Sequence, residues 1–349
     1  MPQPKELNNS STSWKQQFKD ALRNAQQIKD FFGLQENIHI PYQSFIPKHF
    51  AQKIKLQGPR SPLWQQFIPK QLERQDLGVQ DPIGDKKNAK GHGIIHRYKS
   101  RILFTPTSVC PIICRYCFRK NELSNNDSIF KQNLEELSRY LDNHPEVNEV
   151  ILTGGDPLIL TTPKLKTITK VLAKKNILFI RFHTRTPIIL PSRIDQELIS
   201  FFNQITTQFQ RVLFVVHTNH PSEIDQEVEQ ALNKLKLTQL DKRTQTVLLK
   251  DINNNADILK ELFYKIIKNN FSPYYLHHPD QAKGAMHFYL PLEEGRQIYN
   301  QLRDDLPGWA IPHYVIDHPN GHGKQFAFNP ESIAFSGRLL NQESVLKSL

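Results

Sequence analysis

The chain has 349 residues, 38% hydrophobic and 23% charged, with a formal net charge of +11. That length fits one large barrel-type domain or two ordinary ones, and the composition is that of a soluble globular protein. No apolar run reaches the roughly 18 residues of a membrane span, and the polar start MPQPKELNNSSTSWKQQ lacks the apolar core of a signal peptide. A membrane partner is therefore not expected, and the cytoplasm is the default location. The basic residues are scattered rather than blocked, which favours a solvated surface over a nucleic-acid track.

Residues 1–90 read as a helical region. Trp14, Phe18, Ala21, Leu22, Ala25 and Ile28 recur at helical spacing and predict one amphipathic helix over 14–32, stopped at Gly33. Pro47–Phe50 and Pro62–Ile68 predict shorter helices. The stretch 76–93, with four Gly and one Pro, predicts irregular chain. From 91 to 325 apolar runs alternate with helical segments such as Asn133–Asn143 and Asp257–Ile267. The expected strands are Arg101–Thr105, Glu149–Thr153, Ile177–Thr184, Arg211–Thr218, Thr244–Lys250, Pro273–His277 and Ile311–Ile316. Such runs suit strands buried on both faces of a parallel sheet. The expectation is an α/β fold, either doubly wound or a partial or full (β/α) barrel. Residues 326–349 read as a short C-terminal tail.

Polar residues follow several of these strands: Gly154–Asp156, His183–Arg185, His217–His220, His277–Asp280 and Asp317. Parallel α/β folds bind ligands at those strand ends. The chain has only three cysteines, Cys110, Cys114 and Cys117, spaced C-x3-C-x2-C directly after the first of these strands. An odd, crowded set is not a disulfide framework. A Cys3His zinc site would need a nearby His, and none lies within ten residues of the triad. Three thiolates hold three irons of a 4Fe-4S cluster and leave the fourth iron open to a small molecule.

Other motifs read as follows. Gly154 and Gly155 permit close backbone approach to a ligand, and Asp156 can accept from an ammonium or simply cap the next turn. His96–Arg101 is basic and aromatic, suited to a phosphate and a ring, or to a solvated turn. Lys324, beside Gly321 and Gly323, suits a Schiff base with an aldehyde. Asp280 and Asp317 each follow a strand, and two carboxylates select a cation.

These motifs together resemble the lysine 2,3-aminomutase family of radical S-adenosylmethionine (SAM) enzymes. The resemblance runs in order from about Ser61 to Lys324. It rests on Cys114-Arg-Tyr-Cys117-Phe-Arg119, Thr153-Gly-Gly-Asp-Pro-Leu158, Arg185-Thr-Pro187, Val247-Leu-Leu249, Pro273-Tyr-Tyr275 and the Lys324 loop. The chain departs from the family's Gly-rich loop at Asn320 and His322. The resemblance implies a radical SAM barrel with the cluster on Cys110, Cys114 and Cys117, and SAM against Gly154, Gly155 and Asp156. It implies pyridoxal 5′-phosphate (PLP) on Lys324, served by Tyr98, Arg101 and Arg97, with Gln245 as a further cofactor contact. Arg119 would take the substrate carboxylate, and Asp280 with Asp317 the side-chain ammonium of lysine. The implied activity is an isomerisation of L-lysine to β-lysine by 1,2-amino migration. A reductant protein such as flavodoxin or ferredoxin would supply the electron, and a homodimer is allowed. Two uses stay open: free lysine metabolism, which the Asp317 match resembles more, and β-lysine made for elongation factor P, which the short stretch after Lys324 favours. A radical SAM enzyme acting on RNA is the alternative from another class. His183, His217 and His220 receive no role.

Overall fold

A computed structural model describes residues 13–35, 41–123, 133–318, 321 and 323–328. The twelve N-terminal residues, Asn320, His322 and the tail from 329 onward lie outside the described residues.

A ten-stranded sheet dominates the fold. Its strands are β1 (Ala89–Gly91), β2 (Ile94–Tyr98), β3 (Arg101–Thr107), β4 (Glu149–Gly154), β5 (Phe179–Thr184), β6 (Arg211–His217), β7 (Asp241–Val247), β8 (Ser272–His277), β9 (His313–His318) and β10 (Gly323–Phe326). They lie in sequence order. β3 to β9 are parallel, while β1, β2 and β10 run antiparallel at the two edges. Each parallel step needs a crossover, and each crossover carries a helix, for example Gln196–Ile205, Gln226–Lys234 and Ala256–Lys268. Asp195, Asp225 and Asn255 start these three helices by accepting backbone N–H bonds on their side chains. This is the partial (β/α) barrel that the sequence predicts.

The core lies between sheet and helices. Phe182 of β5, Phe202 of the following helix and Phe214 of β6 are fully buried. Phe202 meets Phe182 at 5.4 Å and Phe214 at 5.2 Å, both edge to face. The other face of β5 turns Arg181 and His183 into a central cavity. The strands are thus not apolar on both faces, as their composition predicts. Alternation along β5 aims one polar set inward, because the barrel interior is a site and not only a core.

Other expectations change as well. The predicted helix over 14–32 is two, Trp14–Lys19 and Ala25–Phe32. Between them Ala21 and Leu22 pair with Pro47 and Ile46, and the Asn24 side chain caps the second helix from Gln27 N–H. Tertiary pairing and a strong cap override the local period. Gly33 ends that helix with φ at 68°, as expected. The stretch 76–93 contains a helix, Asp85–Asn88, and β1. Arg97 and Tyr98 sit on a strand, and only Lys99 and Ser100 form the turn to β3.

The helical region is joined closely to the barrel. Ile113 N–H donates to Phe45 O at 3.1 Å and Arg115 N–H to Gln66 O at 2.9 Å. Fully buried Glu73 accepts from Arg115 at 2.9 Å and 2.5 Å and from Lys120 at 2.9 Å. The barrel itself is open. β1 pairs only with the first half of β2, and the seam to β10 is spanned by side chains: Lys324 N–H donates to the Tyr98 hydroxyl at 2.8 Å, and Asn88 Nδ2 to Gly321 O at 3.5 Å.

Candidate active site

The cysteine loop leaves the C-terminal end of β3 and is clamped by the end of β4. Gly155 N–H donates to Thr107 O and Asp156 N–H to Val109 O, both at 2.8 Å. A Cβ on Gly155 would stand 2.7 Å from the Ser108 carbonyl carbon, and one on Gly154, at φ 100°, 2.6 Å from Thr105 Cβ. Both positions therefore require glycine. Asp156 is buried, and its carboxylate accepts from Leu158 N–H, Thr184 Oγ1, Arg185 N–H and Thr186 N–H at 2.7–3.0 Å. With four donors in place, this carboxylate builds the loop.

Cys110, Cys114 and Cys117 are free thiols. Burial, then neighbouring cysteines, pushes Cys110 well up and Cys117 to about 12. Such thiols become thiolates only when a cation replaces the proton. Iron would do so, and the surroundings suit the anionic cluster that results. Arg185 donates to Cys114 Sγ at 3.1 Å, and Arg119 favours the ionised forms of Cys110 and Cys117. Among the described residues no three His, Cys, Asp or Glu side chains converge as a single metal ion would need. The donor set fits a multi-iron cluster.

The thiols open onto a cavity of about 300 Å³ inside the barrel. Every residue expected to serve a cofactor or substrate lines it: Arg97, Tyr98, Arg101, Arg119, Gly154, Gly155, Asp156, Gln245, Asp280, Asp317 and Lys324. The Lys324 side chain is one-third exposed, and its Nζ donates to both oxygens of Asp317 at 2.9 and 2.8 Å, across the β9–β10 register pair. His277 Nδ1 lies 3.6 Å from Asp317 and Arg97 Nη1 3.9 Å. Asp280 shares this field. Burial and then the Asp317 charge raise it to about 8, whereas Lys324 and His277 outweigh burial and hold Asp317 low. Burial and the neighbouring charge thus favour the protonated form of Asp280, while Lys324 keeps Asp317 ionised.

Arg101 stacks 3.7 Å from the Tyr98 ring centroid, with no carboxylate at ion-pair distance among the described residues. Arg119 is partly committed. Its Nη2 donates to Asp85 at 2.5 Å, while its buried Nη1 makes no hydrogen bond and lies 3.5 Å from Glu122 Oε2 as an ion pair. Asp85 also accepts from Arg97 at 2.8 Å. His183, His217 and His277 face the cavity, and burial before all else pushes each below the usual histidine range. Burial thus favours the neutral form of all three. His220 caps the turn at Ser222 and does not line the cavity.

Several residues escape sequence reasoning. Asp85 links Arg97 and Arg119, Glu73 neutralises Arg115 and Lys120, and Glu223 with Gln66 holds Arg185. Their partners lie 12 to 157 positions away. No local spacing signals them.

The radical SAM superfamily model matches residues 104–262. An L-lysine 2,3-aminomutase of Buchnera aphidicola is 34% identical over 327 residues, covering 90% of this chain and 95% of that protein. The enzyme of that name from Escherichia coli is 33% identical, covering 76% and 78%. The one from Clostridium subterminale is 29% identical, covering 89% and 77%. With the C-x3-C-x2-C loop, the parallel barrel and this similarity over nearly its whole length, the chain belongs to the lysine 2,3-aminomutase family of radical SAM enzymes.

Proposed function

We propose that this protein is an L-lysine 2,3-aminomutase that moves the α-amino group of lysine to the β-carbon. One observation carries the reading: three thiols, an amine on Lys324 and a two-carboxylate cation site share a single chamber. When bound, the cluster with SAM supplies one-electron radical chemistry, and PLP supplies an aldehyde that carries the migrating nitrogen.

The chain's own residues position the reactants. Cys110, Cys114 and Cys117 hold the cluster, and the Gly154–Asp156 edge with Gln245 lines the space for SAM. Tyr98 and Arg101 offer a ring face and an uncommitted guanidinium to the phosphate of PLP, and Lys324 offers its amine to the aldehyde. Arg119 Nη1, which makes no hydrogen bond and faces the Glu122 carboxylate at 3.5 Å, takes the substrate carboxylate by exchanging that ion pair for the substrate's. Asp317 and Asp280 take the side-chain ammonium, Asp280 giving up its proton as it does so. An acidic side chain is repelled there. Neutral His183, His217 and His277 keep the middle of the chamber free of competing charge. The chamber lies inside the barrel, and the bound cofactors and substrate would displace from it the water that would quench a radical. A small reductant protein of the flavodoxin or ferredoxin kind belongs to the same proposal.

The test is direct. Protein purified without oxygen and reconstituted with iron and sulfide is given SAM, PLP, a reductant and L-lysine, and β-lysine is sought by mass spectrometry. Arginine, ornithine and glutamate serve as alternative substrates. A preparation with full cluster and PLP content that leaves lysine unchanged refutes the proposal.

A further inference from the structure

Arg185 follows β5 and is the hub of a buried network. Its Nη1 donates to Cys114 Sγ at 3.1 Å and to the Tyr116 hydroxyl. Its Nη2 donates to Gln66 Oε1 at 3.0 Å and Glu223 Oε2 at 2.9 Å. Its guanidinium lies 4.7 Å from the Phe67 ring centroid, and its backbone N–H is pinned by Asp156 at 2.7 Å. Glu223 has no exposed surface and also accepts from Gln66 and Thr218. The cation is thus fixed against one cluster sulfur, with a single buried anion behind it. Among the described residues, no other side chain donates a hydrogen bond to a cysteine sulfur.

A sulfur bound to iron keeps lone pairs that accept hydrogen bonds. A donor or a positive charge there stabilises the electron-rich reduced cluster, and a nearby carboxylate opposes it. Gln66 belongs to the helix Pro62–Phe67, so the helical region helps to set this balance. We propose that Arg185 is a positioning residue that raises the reduction potential of the cluster through Cys114, with Glu223 as its opposing charge.

The reconstituted protein is titrated with dithionite and mediators, followed by electron paramagnetic resonance, without SAM, PLP or lysine. The outcome is therefore independent of the substrate reading. Arg185→Met is expected to lower the ratio of reduced to oxidised cluster at a fixed potential about ten-fold, a shift of about 59 mV to the negative side for one electron. Arg185→Lys should shift less, with the same sign. Glu223→Gln should shift the other way. A merely structural Arg185 would reduce iron and sulfide content while leaving the potential of the remaining clusters unchanged, and that result overturns the proposal. If Arg185→Met assembles no cluster, Glu223→Gln decides: an unchanged or more negative potential refutes the tuning role.

Discussion

Asp280→Asn removes one charge from the carboxylate pair while keeping the shape of the side chain. In the ligand-free protein, burial and the Asp317 charge hold the Asp280 carboxyl at about 8. An unfolded chain releases that proton near pH ~4. Between those values the folded state binds a proton that the unfolded state lacks, so stability falls as pH rises and levels off above about 8. The full gap would be worth roughly 5 kcal/mol, and water reaching the open cavity reduces it to about 1–2 kcal/mol. The Asn variant escapes this cost. Its melting temperature should match wild type near pH 4 and exceed it by a few degrees at pH 9. Substrate binding should respond in the opposite sense. A charge about 4 Å from an ammonium contributes ~4 kcal/mol at an effective dielectric of about 20. If residual solvation offsets half of that, the loss of ~2 kcal/mol raises KM for lysine about thirty-fold. Wild-type KM should fall as pH approaches 8, because Asp280 must ionise to bind a cation, and the variant should lack this dependence. A variant that melts below wild type at pH 9 and keeps its KM would show that Asp280 is not part of a charge-poised site.

Lys324→Ala should abolish the adduct that borohydride fixes between protein and PLP, read by intact mass, while iron content stays unchanged; an adduct persisting on this variant would refute the assignment. Gly323→Ala places a Cβ against the Tyr98 hydroxyl at φ 91°, and should cost about 1–3 kcal/mol in thermal melts while weakening PLP uptake. Glu73→Gln leaves Arg115 and Lys120 buried without their carboxylate. It should cost about 3–5 kcal/mol, and adding Lys120→Met should recover part of the loss.

What the sequence reveals depends on how local the determinant is. The triad is legible because three thiols within eight positions define both chemistry and place. The seven parallel strands are legible because their apolar runs stand out from the helices between them. The Lys324–Asp317 contact is not. Seven residues of separation leave open whether the two meet, and only the antiparallel return of β10 sets them opposite one another. Arg97 and Tyr98 read equally well as a turn, since nothing nearby in sequence reports the pairing of β2 with β3. Asp156 shows the opposite limit. Its motif marks a loop that lines the cavity, but its carboxylate is consumed by four donors, three of them from Thr184–Thr186, nearly thirty residues on. Local reading finds the loop that lines the cavity; long-range hydrogen bonds decide which of its atoms remain uncommitted.

The open seam of the barrel makes a last prediction. Tyr98 and Arg101 stand on the β2–β3 side, and Lys324 with Asp317 on the β9–β10 side. Among the described residues no backbone ladder joins the two edges; they are bridged by Lys324 N–H to the Tyr98 hydroxyl, Asn88 to Gly321 and the 3.9 Å approach of Arg97 to Asp317. A ligand whose phosphate binds one side and whose aldehyde engages the other would close the seam, and its binding energy would become folding energy. Mass action sets the scale: at a free concentration a hundred times Kd the gain is about 2.7 kcal/mol. PLP should therefore raise the melting temperature and slow proteolysis of β10, whereas phosphate alone, which touches one edge, should do neither. In Tyr98→Ala the backbone bridge is lost before any cofactor is added, so the cofactor-free protein should already be cut faster at β10 and PLP should recover only part of the protection. Equal protection by PLP in wild type and in Lys324→Ala would mean that the cofactor sits on one edge only, and the seam would then have no part in holding it.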